Sequence, residues 1–416
     1  MKLKISRRSL LAAGVGSTAS IAIPTLAQQG PIRIGGIMPF SGPQARSGAI
    51  SKIAGQVVVD QVNKSGGVMG RPIEIVWRDD KANATESAAA ARDLLGSGIN
   101  LLFGGTFTAT TLAVMPVVAQ EKAVFTALTA ATLSITHENF DPHTFRLYPN
   151  AYISYRGLAR IVAMKNPNIT RWSGIIPEAE YGFANWGAFS AGLKEFYQKL
   201  HGKQVEIAEP VLTKFGATDF KNQVGALMRQ PSEGLFSALI GNDFFTFLAQ
   251  AKPFGLFNKI KVFCDSGQDV GVGKAALANT PANTWSPSPW YYGDPKANDL
   301  SKQLYRAMVA ANKDPYPVGT TWTTHTAVST YVAAMRAAKS VDPAAVIRGL
   351  ENMAFETAGG PFRYRREDHQ GLPTMGFVKL GPSDKAPGWA VTDFVTSTTA
   401  DLAEPATPGK KWTPPA

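Results

Sequence analysis

The chain of 416 residues has one cysteine and five histidines, too few for most of the chemistry those residues carry. A lone thiol, Cys264, cannot close an internal disulfide, so stability has to come from buried apolar surface. Cys264 follows Lys261-Val262-Phe263 and reads as the end of a buried strand, a packed small residue and not a nucleophile. No histidine stands in a His-Glu-x-x-His pattern, and neither a Cys-x-x-Cys pair nor a Gly-x-Ser-x-Gly elbow occurs. No metal is expected, and no catalytic residue is assigned. Gly271-Val272-Gly273-Lys274-Ala275 has the look of a phosphate loop, but Gln268 stands where its first glycine belongs and Ala275 where a magnesium-binding hydroxyl belongs. It reads as a surface turn. Gly35-Gly36 do not supply a dinucleotide fingerprint after the first strand, so no cofactor is expected either.

Long hydrophobic runs are also missing. The apolar stretch from Leu10 to Ile23 falls short of the roughly 18 to 20 residues that a membrane-crossing helix needs. Lys2, Lys4, Arg7 and Arg8 precede it and Thr25-Leu26-Ala27 follow it, the layout of a cleavable export leader over residues 1–27. Ser6-Arg7-Arg8-Ser9-Leu10-Leu11 resembles the twin-arginine export motif, with ordinary secretion as the alternative. The expected destination is the periplasm. The formal charge of +11 includes those four leader cations, and the remaining excess is thinly spread; its densest cluster, Arg363, Arg365 and Arg366, suits a solvated strand edge. No nucleic-acid partner is expected.

With 44% hydrophobic residues and 18% charged, the remainder can build substantial cores, and its length favours two domains. From residue 31 short β-rich runs alternate with helical patterns, which predicts parallel sheets covered on both faces. Ile32–Met38, Ile73–Trp77, Ile99–Phe103 and Ala123–Leu128 read as strands, separated by helices that include Ile50, Ile53, Ala54, Val57, Val58 and Val62 on one face. Another helix runs from about Thr110 to Gln120, with Pro116 inside it to kink it or mark its first turn. A second series follows: a helix to about Lys165, a strand Trp172–Ile176, a helix Phe183–Leu200, a strand Val205–Val211, and a helix capped by Thr218 or Asp219. Leu235–Ile240, Asp243–Ala251 and Ile260–Phe263 continue it as strand, helix, strand. Pro and Gly cluster at 281–295, helices return at about Asn298–Asn312 and Thr321–Lys339, and Phe362–Arg366 and Thr374–Lys379 alternate as strands. Residues 404–416 are Pro-rich and read as a loose tail.

Hydroxyl- and glycine-rich turns follow two of these strands. They are Gly104-Gly105-Thr106-Phe107-Thr108-Ala109-Thr110 and Thr129-Ala130-Ala131-Thr132. Ligands of open α/β sheets bind beyond the carboxyl ends of the strands, where helix N-termini present free amides suited to an anion. Threonine hydroxyls add donors, so a carboxylate can be held there without an arginine. Taken alone, the same threonines also suit ordinary helix caps.

At these residues the chain resembles the leucine/isoleucine/valine-binding family of ABC-importer solute receptors. The likeness rests on Met38-Pro39-Phe40-Ser41-Gly42-Pro43, Gly66-Gly67-Val68-Met69-Gly70-Arg71-Pro72, Asp79-Asp80, Glu180-Tyr181-Gly182, Trp322-Thr323-Thr324 and Gly359-Gly360-Pro361-Phe362, in that order. It implies a type I periplasmic binding fold, two doubly wound Rossmann-like α/β lobes joined by three crossovers near 147–151, 284–292 and 357–361. Lobe 1 would comprise 28–147 and 287–356, and lobe 2 would comprise 148–286 and 357–403. The resemblance makes Thr108 and Thr132 carboxylate-holding hydroxyls, Ala130 a backbone acceptor, and Tyr181 the aromatic that covers the ligand on closure. Ser47 stands where amino-acid-binding members place an aromatic, and Ser266 where they place the glutamate for the ligand ammonium, with Asp265 and Asp269 adjacent. Asn242 and Asp243 occupy a further pocket turn. Asp243 or Asp265 would have to serve an amine, so an amino acid and an aromatic or aliphatic acid both remain open. The implied function is capture of a small carboxylate solute for an inner-membrane ABC permease by a monomer without turnover. The alternative is a sensor subunit that signals through a partner receptor.

Overall fold

The computed structural model describes residues 30–399 and 401–413, and the export leader expected at 1–27 lies outside them. The chain runs β1 (Ile32–Met38), α1 (Ala45–Lys64), β2 (Ile73–Asp79), α2 (Ala84–Gly96), β3 (Leu101–Gly104), α3 (Thr108–Gln120), β4 (Val124–Ala127) and β5 (Thr144–Arg146). It continues with α4 (Ala151–Lys165), β6 (Arg171–Pro177), α5 (Glu180–His201), β7 (Glu206–Ile207), β8 (Val211–Thr213), α6 (Lys221–Arg229), β9 (Gly234–Ser237), α7 (Gly241–Ala251), α8 (Leu256–Lys259), β10 (Val262–Asp265), α9 (Val270–Ala276) and β11 (Thr284–Ser288). The last stretch is α10 (Asp299–Asn312), α11 (Thr321–Ala338), α12 (Pro343–Asn352), β12 (Ala354–Thr357), β13 (Gly360–Tyr364), β14 (Gly371–Pro382) and β15 (Trp389–Thr398).

The first lobe is a parallel sheet in the order β2-β1-β3-β4-β5. Its strands alternate between two cores. Ile34 and Phe103 face α1 and α11, meeting Val58, Trp322 and Tyr331, while Ile37 and Leu102 face α2 and α3, meeting Leu94 and Val118. The Tyr331 hydroxyl satisfies itself inside the core, donating to the Leu102 carbonyl (2.6 Å) and accepting from Thr126 Oγ1 (2.9 Å). In the second lobe β6, β9, β10 and β11 are parallel, with β7 and β8 on the outer edge of β6. The antiparallel β14 and β15 extend the other edge. Helices α4 and α5 pack on one face around Trp172, Phe189 and Phe236, and α6, α7 and α8 on the other around Phe244, Phe247 and Phe263. Covering both faces is what a parallel sheet of near-continuous apolar strands requires.

Several elements depart from the sequence expectation. The strand expected at Val205–Val211 is two short strands, β7 and β8, divided where Pro210 supplies no amide for a ladder. Helix α6 starts at Lys221 after Asp219, whose Oδ1 accepts from the Lys221 amide (3.0 Å), so the acid serves the turn before the helix. Thr284–Ser288, within the Pro/Gly cluster, is the fully buried strand β11, and the turn-like Gly271 segment belongs to α9. Pro116 sits inside α3, which begins two residues earlier than expected. The hairpin β12–β13 packs in the first lobe: Phe362 lies edge-on to Trp322 at 5.7 Å and Tyr364 to Phe145 at 4.9 Å. The same hairpin also joins the second sheet, since β13 pairs antiparallel with β14, and beyond Tyr364 Gln370 bridges to Arg146.

The described part of the Pro-rich tail is docked, contrary to expectation. Leu402 is buried in the second core and Glu404 is only 2% exposed, with Arg365, Asn150 and His137 around its carboxylate. Trp412 stacks on His137 and meets Tyr152 edge-on at 4.8 Å.

Candidate functional site

The carboxyl ends of the two sheets face one another across a cleft of about 1330 Å³ including its mouth. Three segments of the first lobe form one wall. The first turn of α1 contributes Gln44, Arg46 and Ser47, and is seated close to β1 because Gly48 has no side chain; a Cβ there would lie 2.1 Å from the Pro39 carbonyl oxygen. The β3–α3 turn contributes Thr106, Phe107 and Thr108. Gly105 makes that turn possible with φ +68°, and a Cβ on it would collide with Thr111 Oγ1 at 2.4 Å. The segment after β4 contributes Thr129, Ala130 and Ala131. The opposite wall carries Tyr155, Tyr181, Asn185, Phe245, Ser266 and Gln268, and Tyr148 comes from the first crossover.

Five of the nine predicted residues line this cleft: Ser47, Thr108, Ala130, Tyr181 and Ser266. Thr108 is 6% exposed, its hydroxyl has no partner, and it opens α3, whose first amides lack intrahelical acceptors. Ser47 Oγ donates to the Gln44 carbonyl (2.8 Å) and Ser266 Oγ to the Leu239 carbonyl (3.3 Å), so each is partly engaged.

The other four point elsewhere. Thr132, expected beside Thr108, gives its hydroxyl to the Glu180 carboxylate of the opposite lobe, and Ser134 Oγ joins the same carboxylate at 3.2 Å. Asn242 is exposed on the outer side of α7. Asp243 Oδ2 accepts from the Gly216 amide (2.8 Å), which ties down the loop before α6; burial raises its pKa while that amide pulls the other way. Asp265 is fully buried behind the cleft, with Oδ1 accepting from the amides of Gly267 (2.8 Å) and Gln268 (2.6 Å) and from Ser286 Oγ (3.0 Å). Burial pushes it to about 7 against those three hydrogen bonds. The sequence-level amine partners are thus occupied as turn-forming groups. Of the aromatics, Phe107 and Phe245 reach the cleft and Phe244 lies in the core.

Side chains that sequence reasoning did not single out complete the walls. Asn185 is 2% exposed and its Oδ1 has no partner. Its signal was its position one helical turn after Tyr181, which puts both on one face. Tyr148, Tyr155 and Tyr181 have pKa values raised by burial first, so they present neutral hydroxyls. Arg46 is the one charged side chain among the described residues lining the cleft, with its guanidinium 6.0 Å from the centre of the Phe245 ring. No aspartate or glutamate is among them.

Contacts join the lobes around the cleft. Besides Thr132 with Glu180, Phe107 meets Phe215 edge-on at 5.9 Å, Lys274 pairs with Asp314, and the Gly319 amide donates to Asp269 Oδ2 (2.7 Å). Asp269 is buried, held at φ +41°, and pushed to about 7 by burial, with the nearby Asp265 adding to the shift and the Gly319 amide opposing it.

Two open α/β lobes enclosing an uncharged-to-cationic cleft at their strand ends define a small-molecule receptor. The chain belongs to the periplasmic binding protein family, whose model matches residues 31–386. It is similar to a "Leu/Ile/Val-binding protein homolog 4" of Brucella abortus, at 22% identity with 88% of each chain covered. Its fold is that of a Streptococcus pneumoniae branched-chain amino acid transporter substrate-binding protein solved with isoleucine, with TM-score 0.76, 16% identity and coverage of 88% and 99%. It is equally that of a Rhodopseudomonas palustris ABC-transporter solute-binding protein solved with 3,4-dihydroxybenzoic acid, with TM-score 0.76, 18% identity and coverage of 88% and 98%. The type I periplasmic binding fold expected from the sequence is therefore the one present.

Proposed function

We propose that this protein captures a small aromatic carboxylate in the periplasm by hinge closure and delivers it, unchanged, to an inner-membrane ABC permease. The observation that carries the reading is the composition of the cleft: an unpartnered buried hydroxyl at a helix N-terminus, one arginine, a ring of tyrosines and phenylalanines, and no carboxylate side chain. An ammonium brought into such a cleft loses its hydration without gaining a counter-charge, whereas a carboxylate gains the Thr108 hydroxyl and the first amides of α3. The aromatic walls suit a ring, which packs on them face or edge. Fold neighbours with amino acid and with benzoate-type ligands make both classes compatible with the scaffold, and the side chains favour the second. The inter-lobe contacts support closure, since Thr132–Glu180, Phe107–Phe215 and Gly319–Asp269 must part before a solute can enter.

Thermal unfolding of the ligand-stripped mature protein tests the reading. Benzoates are expected to stabilise it, by about 2.7 kcal/mol at 100-fold excess over the dissociation constant, and to be recovered unaltered. Stabilisation by leucine at concentrations where benzoates have no effect, or consumption of the solute, would overturn it.

A further inference from the structure

We infer that Asn185 reads a hydroxyl group on the solute, so that the ligand is a hydroxylated carboxylic acid held between the lobes; this deepens the function proposed above and rests on it. Asn185 stands on the second turn of α5, four residues after Tyr181, and lines the cleft. At 2% exposure its Oδ1 is sealed from solvent and accepts no hydrogen bond from any described residue. Buried side-chain polar atoms are normally partnered, and an unpartnered one destabilises the protein that carries it. Such an atom at a ligand site gains its partner from the ligand.

The carboxamide restricts what that partner is. It offers an acceptor oxygen and a donor nitrogen side by side. A hydroxyl is likewise both donor and acceptor, so it satisfies Asn185 in either orientation of the amide. An unsubstituted ring edge satisfies neither atom. A second carboxylate would meet the nitrogen and leave the oxygen opposed by another acceptor. An ammonium would meet the oxygen but bring a charge into a cleft with no acid and with Arg46 already in its wall. The two orphan atoms of the cleft also lie on different lobes, Thr108 Oγ1 on the first and Asn185 Oδ1 on the second. A solute with its carboxylate at α3 and its hydroxyl at α5 engages both lobes only when they are closed, and so favours the closed state over the open one.

The test is calorimetric binding of two pairs, benzoate against 3- and 4-hydroxybenzoate and phenylalanine against tyrosine, to the wild-type protein and to Asn185→Leu, with Asn185→Ala as a second variant. The wild type should prefer one of the hydroxybenzoates over benzoate by at least about tenfold. The variants should bring that ratio close to one, and their ligand-free melting temperature should not fall, because the orphan acceptor is gone. A ratio unchanged in the variants, no preference in the wild type, or a protein that accepts only hydroxyl-free acids would overturn the assignment. Binding confined to the amino acids would instead overturn the amine-free reading of the cleft, and the tyrosine-to-phenylalanine ratio would then decide Asn185 independently.

Discussion

Asp265 and Asp269 flank the cleft-lining Ser266, Gly267 and Gln268 in sequence, yet they serve the fold behind the cleft. Each is enclosed, each keeps one oxygen without a partner, and burial holds each near 7 instead of the ordinary 3.8. Tyr148, Tyr155 and Tyr292 face them and bring no positive charge to compensate. The consequence has a definite sign. Between about pH 4 and pH 7 the unfolded chain has released protons that the folded protein still holds, so these acids lower stability progressively as the pH rises through that window, with no further change above it. Asp269→Asn keeps an acceptor for the Gly319 amide and removes the titration. Its stability relative to wild type, measured by urea unfolding, should rise by at least about 1 kcal/mol from pH 4 to pH 7. A difference that stays flat with pH would refute the account.

At the scale of the element, α3 shows what the sequence could and could not convey. Gly-Gly-Thr-Phe-Thr after an apolar strand identifies a sharp turn into a helix whose first amides are free, but by itself it suits an ordinary helix cap as well, and Thr108 was singled out only through the family resemblance. Thr108→Ala should weaken carboxylate binding roughly ten- to hundredfold without lowering the melting temperature, because the hydroxyl has no partner in the unliganded protein. Thr132 was read by the same logic and fails it, since its hydroxyl is turned to Glu180. The difference is a matter of side-chain direction across lobes, which strand and helix periods do not encode. Asp243 and Asp265 were legible as turn acids but not as acids already committed to backbone amides a few residues away or a loop apart. Asn185 was missed because a polar residue in a helix ordinarily marks the solvent face; only the packing of the second lobe turns that face inward. The apolar runs of β1, β3, β4, β6, β9 and β10 were readable because both sheet faces are covered and burial is nearly continuous. Of the hairpin β14–β15 only the inner strand was read, as Thr374–Lys379, since the partly exposed outer strand β15 carries no such run.

For the whole molecule the least expected feature is the C-terminal segment, which ties the back of the two lobes together. Leu402 is anchored in the second core, and its carbonyl accepts from Arg156 Nη1 (3.3 Å). Glu404 then receives Asn150 Nδ2 (2.6 Å) from the first crossover and Arg365 Nη2 (3.3 Å) from the third. His137 of the first lobe meets Thr407 Oγ1 (2.6 Å), and its carbonyl accepts from the Gly409 amide (2.7 Å). Proline-rich composition reads as loose because it forms no helix or strand, but docking of this kind needs neither; Arg156, Asn150 and His137 lie more than 200 residues earlier in the chain and leave no local signal. Burial alone would raise the pKa of Glu404, and the His137 hydrogen bond with the charges of Arg146 and Arg365 lowers it below the ordinary 4.5 instead. Its contribution is therefore present above about pH 4.5 and is lost as the pH falls through the lowered value. Glu404→Gln should cost about 3 kcal/mol at pH 7, since it leaves Arg146 and Arg365 short of a buried counter-charge, and the cost should shrink in acid. A chain ending at Ala403 should lose at least as much, and should also bind solute more weakly with faster release, because contacts spanning both lobes are gone. Equal melting temperatures for the truncated and full-length proteins would show that the segment merely rests on the surface.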